Sequence, residues 1–155
     1  MAVVPLGAAI QALHLDGIDR PLILGHADPE AYRTDPNYLG AVTGRFANRI
    51  GGGSFVLDGH RVQLDRNEGA NTLHGGSDGF HRRLWQVEET SPNSVRLALT
   101  SPAGDQGFPG TLHAWCRYSL FEPATIVVEL SATTDAPTVV SLAQVSPWLI
   151  KATLA

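Results

Sequence analysis

Cysteine is all but missing. Cys116 stands alone, which excludes an internal disulfide framework and any zinc site built from cysteine thiolates. Charge is also sparse. Charged residues make up 17% of the chain, below the usual ~25%, and 43% of the residues are hydrophobic, which excludes a disordered or solvating chain. The formal net charge is −4, so a nucleic-acid partner is not expected. Long apolar runs are lacking too. The two longest stretches without Asp, Glu, Lys or Arg, residues 1–15 and 136–150, fall short of the ~20 apolar residues of a membrane helix, and both contain Pro and Gln. No Lys or Arg precedes Arg20, so the positive region of a secretory signal is missing and a cytoplasmic location is expected. A chain of 155 residues can bury roughly 70% of its unfolded surface, and residues 1–155 are expected to form a single domain.

What is present alternates with a period of two. Val95, Leu97 and Leu99 are apolar with Arg96 between. From Leu112, one face carries Leu112, Ala114, Cys116, Tyr118 and Leu120, and the other carries His113, Trp115, Arg117 and Ser119. Ile126, Val128 and Leu130 face away from Glu129 and Ser131. These are half-buried strands of an antiparallel sheet, separated by turn formers around Pro92, Pro123 and Pro137. Asp58-Gly59 between two apolar runs predicts a type I′ hairpin. Earlier strands are expected over residues 8–15 and 21–25, with one helical turn opened by Asp28 and Pro29. Trp85, Trp115 and Trp148 fall within strands and are read as core residues rather than sugar-stacking platforms, although an exposed Trp in a cleft would suit a pyranose face.

Residues 44–54 and 65–81 resist strand assignment and are crowded with Gly, Asn, Arg and His. Long irregular loops on a sheet scaffold often hold function. In the first, Asn48 offers donors and an acceptor and Arg49 offers a donor fork, a pairing suited to sugar hydroxyls; alternatively, Arg49 ties down a nearby carbonyl or carboxylate. Gly51-Gly52-Gly53 is not a phosphate loop, because no Gly-Lys-Ser/Thr follows. In the second, His74 precedes two glycines, which let a ligand approach closely, and histidine titrates nearest neutral pH. The bland alternative is a histidine hydrogen-bonded inside a turn. A metal held by His74 and His81 is not expected, because their spacing has no helical logic and only Asp78 stands between them. Residues 104–110 read either as a polar substrate loop or, the favoured reading, as a strand connection with Phe108 packed inward.

Taken together and in order, several segments resemble the aldose 1-epimerase (galactose mutarotase) family. They are Asp35-Pro36-Asn37-Tyr38-Leu39-Gly40, Gly44-Arg45-Phe46-Ala47-Asn48-Arg49-Ile50, Asn67-Glu68-Gly69-Ala70-Asn71-Thr72-Leu73-His74-Gly75-Gly76, Gly79-Phe80-His81-Arg82-Arg83-Leu84-Trp85, Asp105-Gln106-Gly107-Phe108-Pro109-Gly110 and the run from Ala132 to Val140. The resemblance implies an all-β fold, an antiparallel β-sandwich of galactose mutarotase type. It also implies interconversion of the α and β anomers of a hexose by acid/base ring opening, with an aldose as small-molecule partner and no cofactor. By the family pattern, Asn48, Arg49 and His74 bind the sugar, and His74 acts catalytically near the ring oxygen and C1.

The sequence departs from that pattern in two places. After Leu142-Ala143-Gln144 the family continues His-Ser-Tyr, whereas this chain reads Val145-Ser146-Pro147. Val145 therefore stands where the resemblance places an acid histidine, and valine transfers no proton. The resemblance also puts the catalytic glutamate and a sugar-binding aspartate beyond Ala155, so the chain is similar to the N-terminal half of a mutarotase sandwich, truncated at its C-terminus and at its N-terminus. Half a sandwich leaves an apolar sheet face bare, so self-association or a complementing chain is expected.

Overall fold

The computed structural model describes residues 1–149. Its strands are β1 (Ala2–Val4), β2 (Ala9–Ala12), β3 (Val42–Thr43), β4 (Arg49–Ile50), β5 (Ser54–Leu57), β6 (His60–Gln63), β7 (Thr72–Leu73), β8 (Gln86–Ser91), β9 (Ser94–Ser101), β10 (Leu112–Phe121), β11 (Thr125–Thr134) and β12 (Ala143–Gln144). Among the described residues, helix is confined to short 3-10 segments. None is long and apolar enough to cross a membrane.

The organising element is a four-stranded antiparallel meander in the order β11-β10-β9-β8. Period-two alternation sorts its side chains. Leu97, Leu112, Ala114, Cys116 and Tyr118 are fully buried on one face, against Ala8, Ile10, Ile23, Val42, Phe80 and Trp85. Burial of such side chains contributes roughly 1.5–3 kcal/mol each. Tyr118 also donates its hydroxyl to the Ala8 carbonyl at 2.7 Å, which ties the sheet to the N-terminal hairpin β1–β2. The opposite face is polar: Glu88 and Glu89 pair with Arg96, and Glu89 also with Arg117. β11 lies at the edge, and Val128 on its core side stays 37% exposed.

The structure follows most of the sequence reading and corrects parts of it. The β5–β6 hairpin turns on Asp58 and Gly59, both at positive φ, as the type I′ geometry demands. Asp28 caps its 3-10 turn by accepting from the Glu30 amide, with Pro29 just inside. Phe108 is fully buried. By contrast, the expected strand at 8–15 shrinks to β2, and that at 21–25 to one bridge between Ile23 and Trp148. The tryptophans also differ from expectation. Trp85 is core but precedes β8. Trp115 lies in β10 on the outward face beneath the Arg96 guanidinium, and Trp148 is 48% exposed. Hydrophobicity alone does not tell which face of a strand an aromatic takes.

Candidate functional site

The two stretches without strand character are paired with each other. β4 and β7 form a two-residue antiparallel ladder, with Arg49 opposite Leu73 and Ile50 opposite Thr72. This ladder carries Asn48 and His74 side by side. The His74 amide donates to the Asn48 carbonyl at 3.1 Å, and the Asn48 amide donates to His74 Nδ1 at 3.0 Å. All three residues expected at the site, Asn48, Arg49 and His74, are thus brought together.

The second of those bonds fixes the chemistry of the imidazole. A ring nitrogen that accepts carries no proton, so the neutral ring holds its proton on Nε2 and presents it as a donor. Burial lowers the His74 pKa below the ordinary histidine value, the Arg49 charge lowers it further, and Glu68 pulls the other way. At neutral pH this is an uncharged N–H donor.

Arg49 forms a fork on Glu68, with Nε to Oε2 and Nη2 to Oε1 both at 2.6 Å, and its Nη1 lies 3.4 Å from Asn48 Oδ1. Of the two roles open to Arg49, tying down a carboxylate is met by Glu68, and a sugar would have to share this exposed pair. The hydrogen bond to Arg49 is the first cause that lowers the Glu68 pKa.

Glycines make the close approach. A Cβ on Gly75 would lie 1.9 Å from the Gly44 carbonyl oxygen, and Gly75 adopts φ +88°. The 65–81 loop therefore rests on the backbone that leads into Arg45. That arginine is itself buried. It donates to Ser101 Oγ at 2.9 Å and to the carbonyls of Ser101, Pro102 and Pro109 at 2.7, 2.7 and 2.9 Å. The 104–110 connection is held from the other side, where Asp105 accepts from Arg83 at 2.5 Å and from the Ser101 hydroxyl.

One residue the sequence reading did not single out sits against the site. The Tyr38 ring packs edge-on to His74 with centroids 4.6 Å apart, and edge-on to His81 at 4.6 Å. His81 is 6% exposed, its Nδ1 lacks a partner, and burial holds its pKa down at about 4. Among the described residues, no three His, Cys, Asp or Glu side chains converge as a metal set would. Val145 follows β12 and donates its amide to Ala41 beside β3.

Residues 1–151 match the family model described as Aldose 1-epimerase. The chain is 42% identical over 127 residues to the aldose 1-epimerase of Escherichia coli, covering 82% of this chain and 37% of that protein. It is 38% identical over 143 residues to galactose mutarotase of Bos taurus, covering 90% of this chain and 41% of that one. A crystal structure of a GalM/aldose epimerase homologue from C. elegans superposes with a TM-score of 0.90 at 28% identity, over 97% of this chain and 47% of that one. Galactose 1-epimerase from Lactobacillus acidophilus gives 0.83 at 30% identity, over 93% and 43%. The fold is therefore the antiparallel β-sandwich of galactose mutarotase type, and the chain spans about two fifths of the length of the curated relatives it matches. With the match running over nearly all its residues, the chain belongs to the aldose 1-epimerase family.

Proposed function

We propose that the β4–β7 surface grips a free hexose, glucose or galactose, as the sugar-binding part of a mutarotase-type site at which α and β anomers interconvert, and that this chain alone does not complete the reaction. The reaction needs a base to take the C1 hydroxyl proton and an acid to protonate the ring oxygen. The ring opens, the C1–C2 bond rotates, and closure occurs on the other face. In this reading His74 directs its Nε2–H at the ring-oxygen and C1 end, while Asn48 and Arg49 bind hydroxyls. The observation that carries it is the Asn48 amide on His74 Nδ1 at 3.0 Å, which leaves the outer nitrogen as the donor.

The same reading assigns these 155 residues a sugar grip without the full proton relay, because Val145 occupies the acid position. The family's base, by the resemblance, is a glutamate in the part these residues do not match. The first reading is thus a non-catalytic carbohydrate-binding module; a purely structural β-module is the second, favoured by the Arg49–Glu68 pair, which satisfies both side chains without a ligand.

Polarimetry on freshly dissolved α-D-galactose tests catalysis. No acceleration over buffer is expected from this chain, alongside an active relative of full family length. Galactose-induced NMR shifts at His74 test the grip, and their absence at high sugar concentration would leave the structural reading.

A further inference from the structure

Tyr38, Asn48 and His74 share an uncommon backbone state. All three are non-glycine residues in the left-handed region, at φ +57°, +68° and +51°. Such residues cost roughly 1 kcal/mol or more each and persist where surrounding structure imposes them. Asn48 and His74 bond to each other, and the Tyr38 ring stands against His74. Among the described residues, three of the six non-glycine positions at positive φ therefore cluster around one imidazole; Ala8, Asp58 and Gln106 stand apart from it.

Tyr38 is placed by a built turn. Asp35, 6% exposed, accepts the Asn37 amide on Oδ1 at 2.9 Å and the Leu39 amide on Oδ2 at 2.7 Å, clamping the backbone on both sides of Tyr38. Gly40 follows, where a Cβ would lie 2.2 Å from the Ile10 carbonyl oxygen, so the turn is pressed onto β2. The Tyr38 ring is then backed by buried His81. This is more restraint than a loop needs to close.

We propose that Tyr38 is a positioning residue for His74: its ring edge and the Asn48 amide together hold the imidazole in one orientation and one tautomer. The amide fixes which nitrogen accepts. That bond lasts only while the ring stays in place, and the Tyr38 ring at 4.6 Å blocks the swing that would carry Nδ1 away from the amide. The consequence for the sugar rests on the reading above; the consequence for the imidazole does not.

The test is the ring-nitrogen NMR signature and titration of His74, with galactose as the probe sugar. Wild type should show the Nε2–H tautomer alone. Tyr38→Phe keeps the ring and should keep the tautomer. Tyr38→Leu should give mixed tautomers, a His74 pKa moved up toward the free value, and galactose binding weakened about tenfold. Tyr38→Gly removes the ring while relaxing the left-handed backbone, so it guards against a Leu variant that does not fold. It should lose the single tautomer although its backbone is unstrained. Leu and Gly variants that fold less stably yet retain the wild-type tautomer and pKa would overturn the proposal. A wild type that shows the single tautomer but no galactose shift would remove the sugar reading and leave the tautomer comparison to decide Tyr38.

Discussion

Arg49 and Glu68 lock each other through two 2.6 Å hydrogen bonds at the rim of the site, within electrostatic reach of His74. Arg49 disfavours the imidazolium and Glu68 favours it. Arg49→Gln should therefore raise the His74 pKa, since it removes the cation and frees the carboxylate. Glu68→Gln should lower it. Titration of the His74 ring protons by NMR reads both. Shifts of the same sign in the two variants would contradict this electrostatic account.

Stability should fall in mild acid because of His81. Its folded pKa of about 4 lies below the histidine value of 6.5, so the unfolded chain takes up the proton first. Stability is then complete above pH 6.5 and is lost as pH falls toward 4, by on the order of 3 kcal/mol. Asp35 acts lower down. Burial pushes its pKa up, but the Asn37 and Leu39 amides together with His26 hold it below the ordinary carboxylate value, so its contribution is full above that value and is lost as pH falls through and below it. His81→Phe keeps a ring against Tyr38 and removes the orphaned nitrogen. Denaturant unfolding at pH 7 and pH 4.5 should show that variant as the flatter of the two; equal slopes would refute the assignment.

How much of this was legible in the residues depends on element length. β9, β10 and β11 are long enough for alternation to declare itself, and Asp58-Gly59 announces its turn chemically. β4 and β7 have two residues each, too few for any period, so their pairing emerges only in three dimensions. Asn48, Arg49 and His74 were visible through the ordered family motifs. Glu68 and Tyr38 were present in those motifs, but what they do was not, because neither a bidentate pair nineteen residues apart nor a left-handed tyrosine leaves a local mark. Trp148 reads as core because it falls in a strand-like stretch, yet it sits at an isolated bridge to Ile23 and is 48% exposed.

Gly75 should be far less tolerant than Gly52, although both have positive φ. A Cβ on Gly75 meets the Gly44 carbonyl at 1.9 Å, whereas one on Gly52 meets nothing within 4 Å. Gly52→Ala should cost about 1–2 kcal/mol, the left-handed penalty alone. Gly75→Ala should cost more than about 3 kcal/mol, since two backbone segments must separate. It should also speed amide exchange at Asn48 and His74, whose mutual hydrogen bonds depend on that contact. Thermal unfolding with hydrogen exchange measures both, and similar costs for the two variants would contradict the close-approach argument.

The central claim is that Asn48, Arg49 and His74 make one surface that holds a sugar. Its most direct test is a two-dimensional NMR titration of the labelled chain with galactose. The account predicts saturable shifts at the Asn48 and His74 amides and the Arg49 side chain, all fitting one dissociation constant and all abolished by His74→Ala. Shifts that never saturate, or that fall elsewhere while these three stay still, would contradict it.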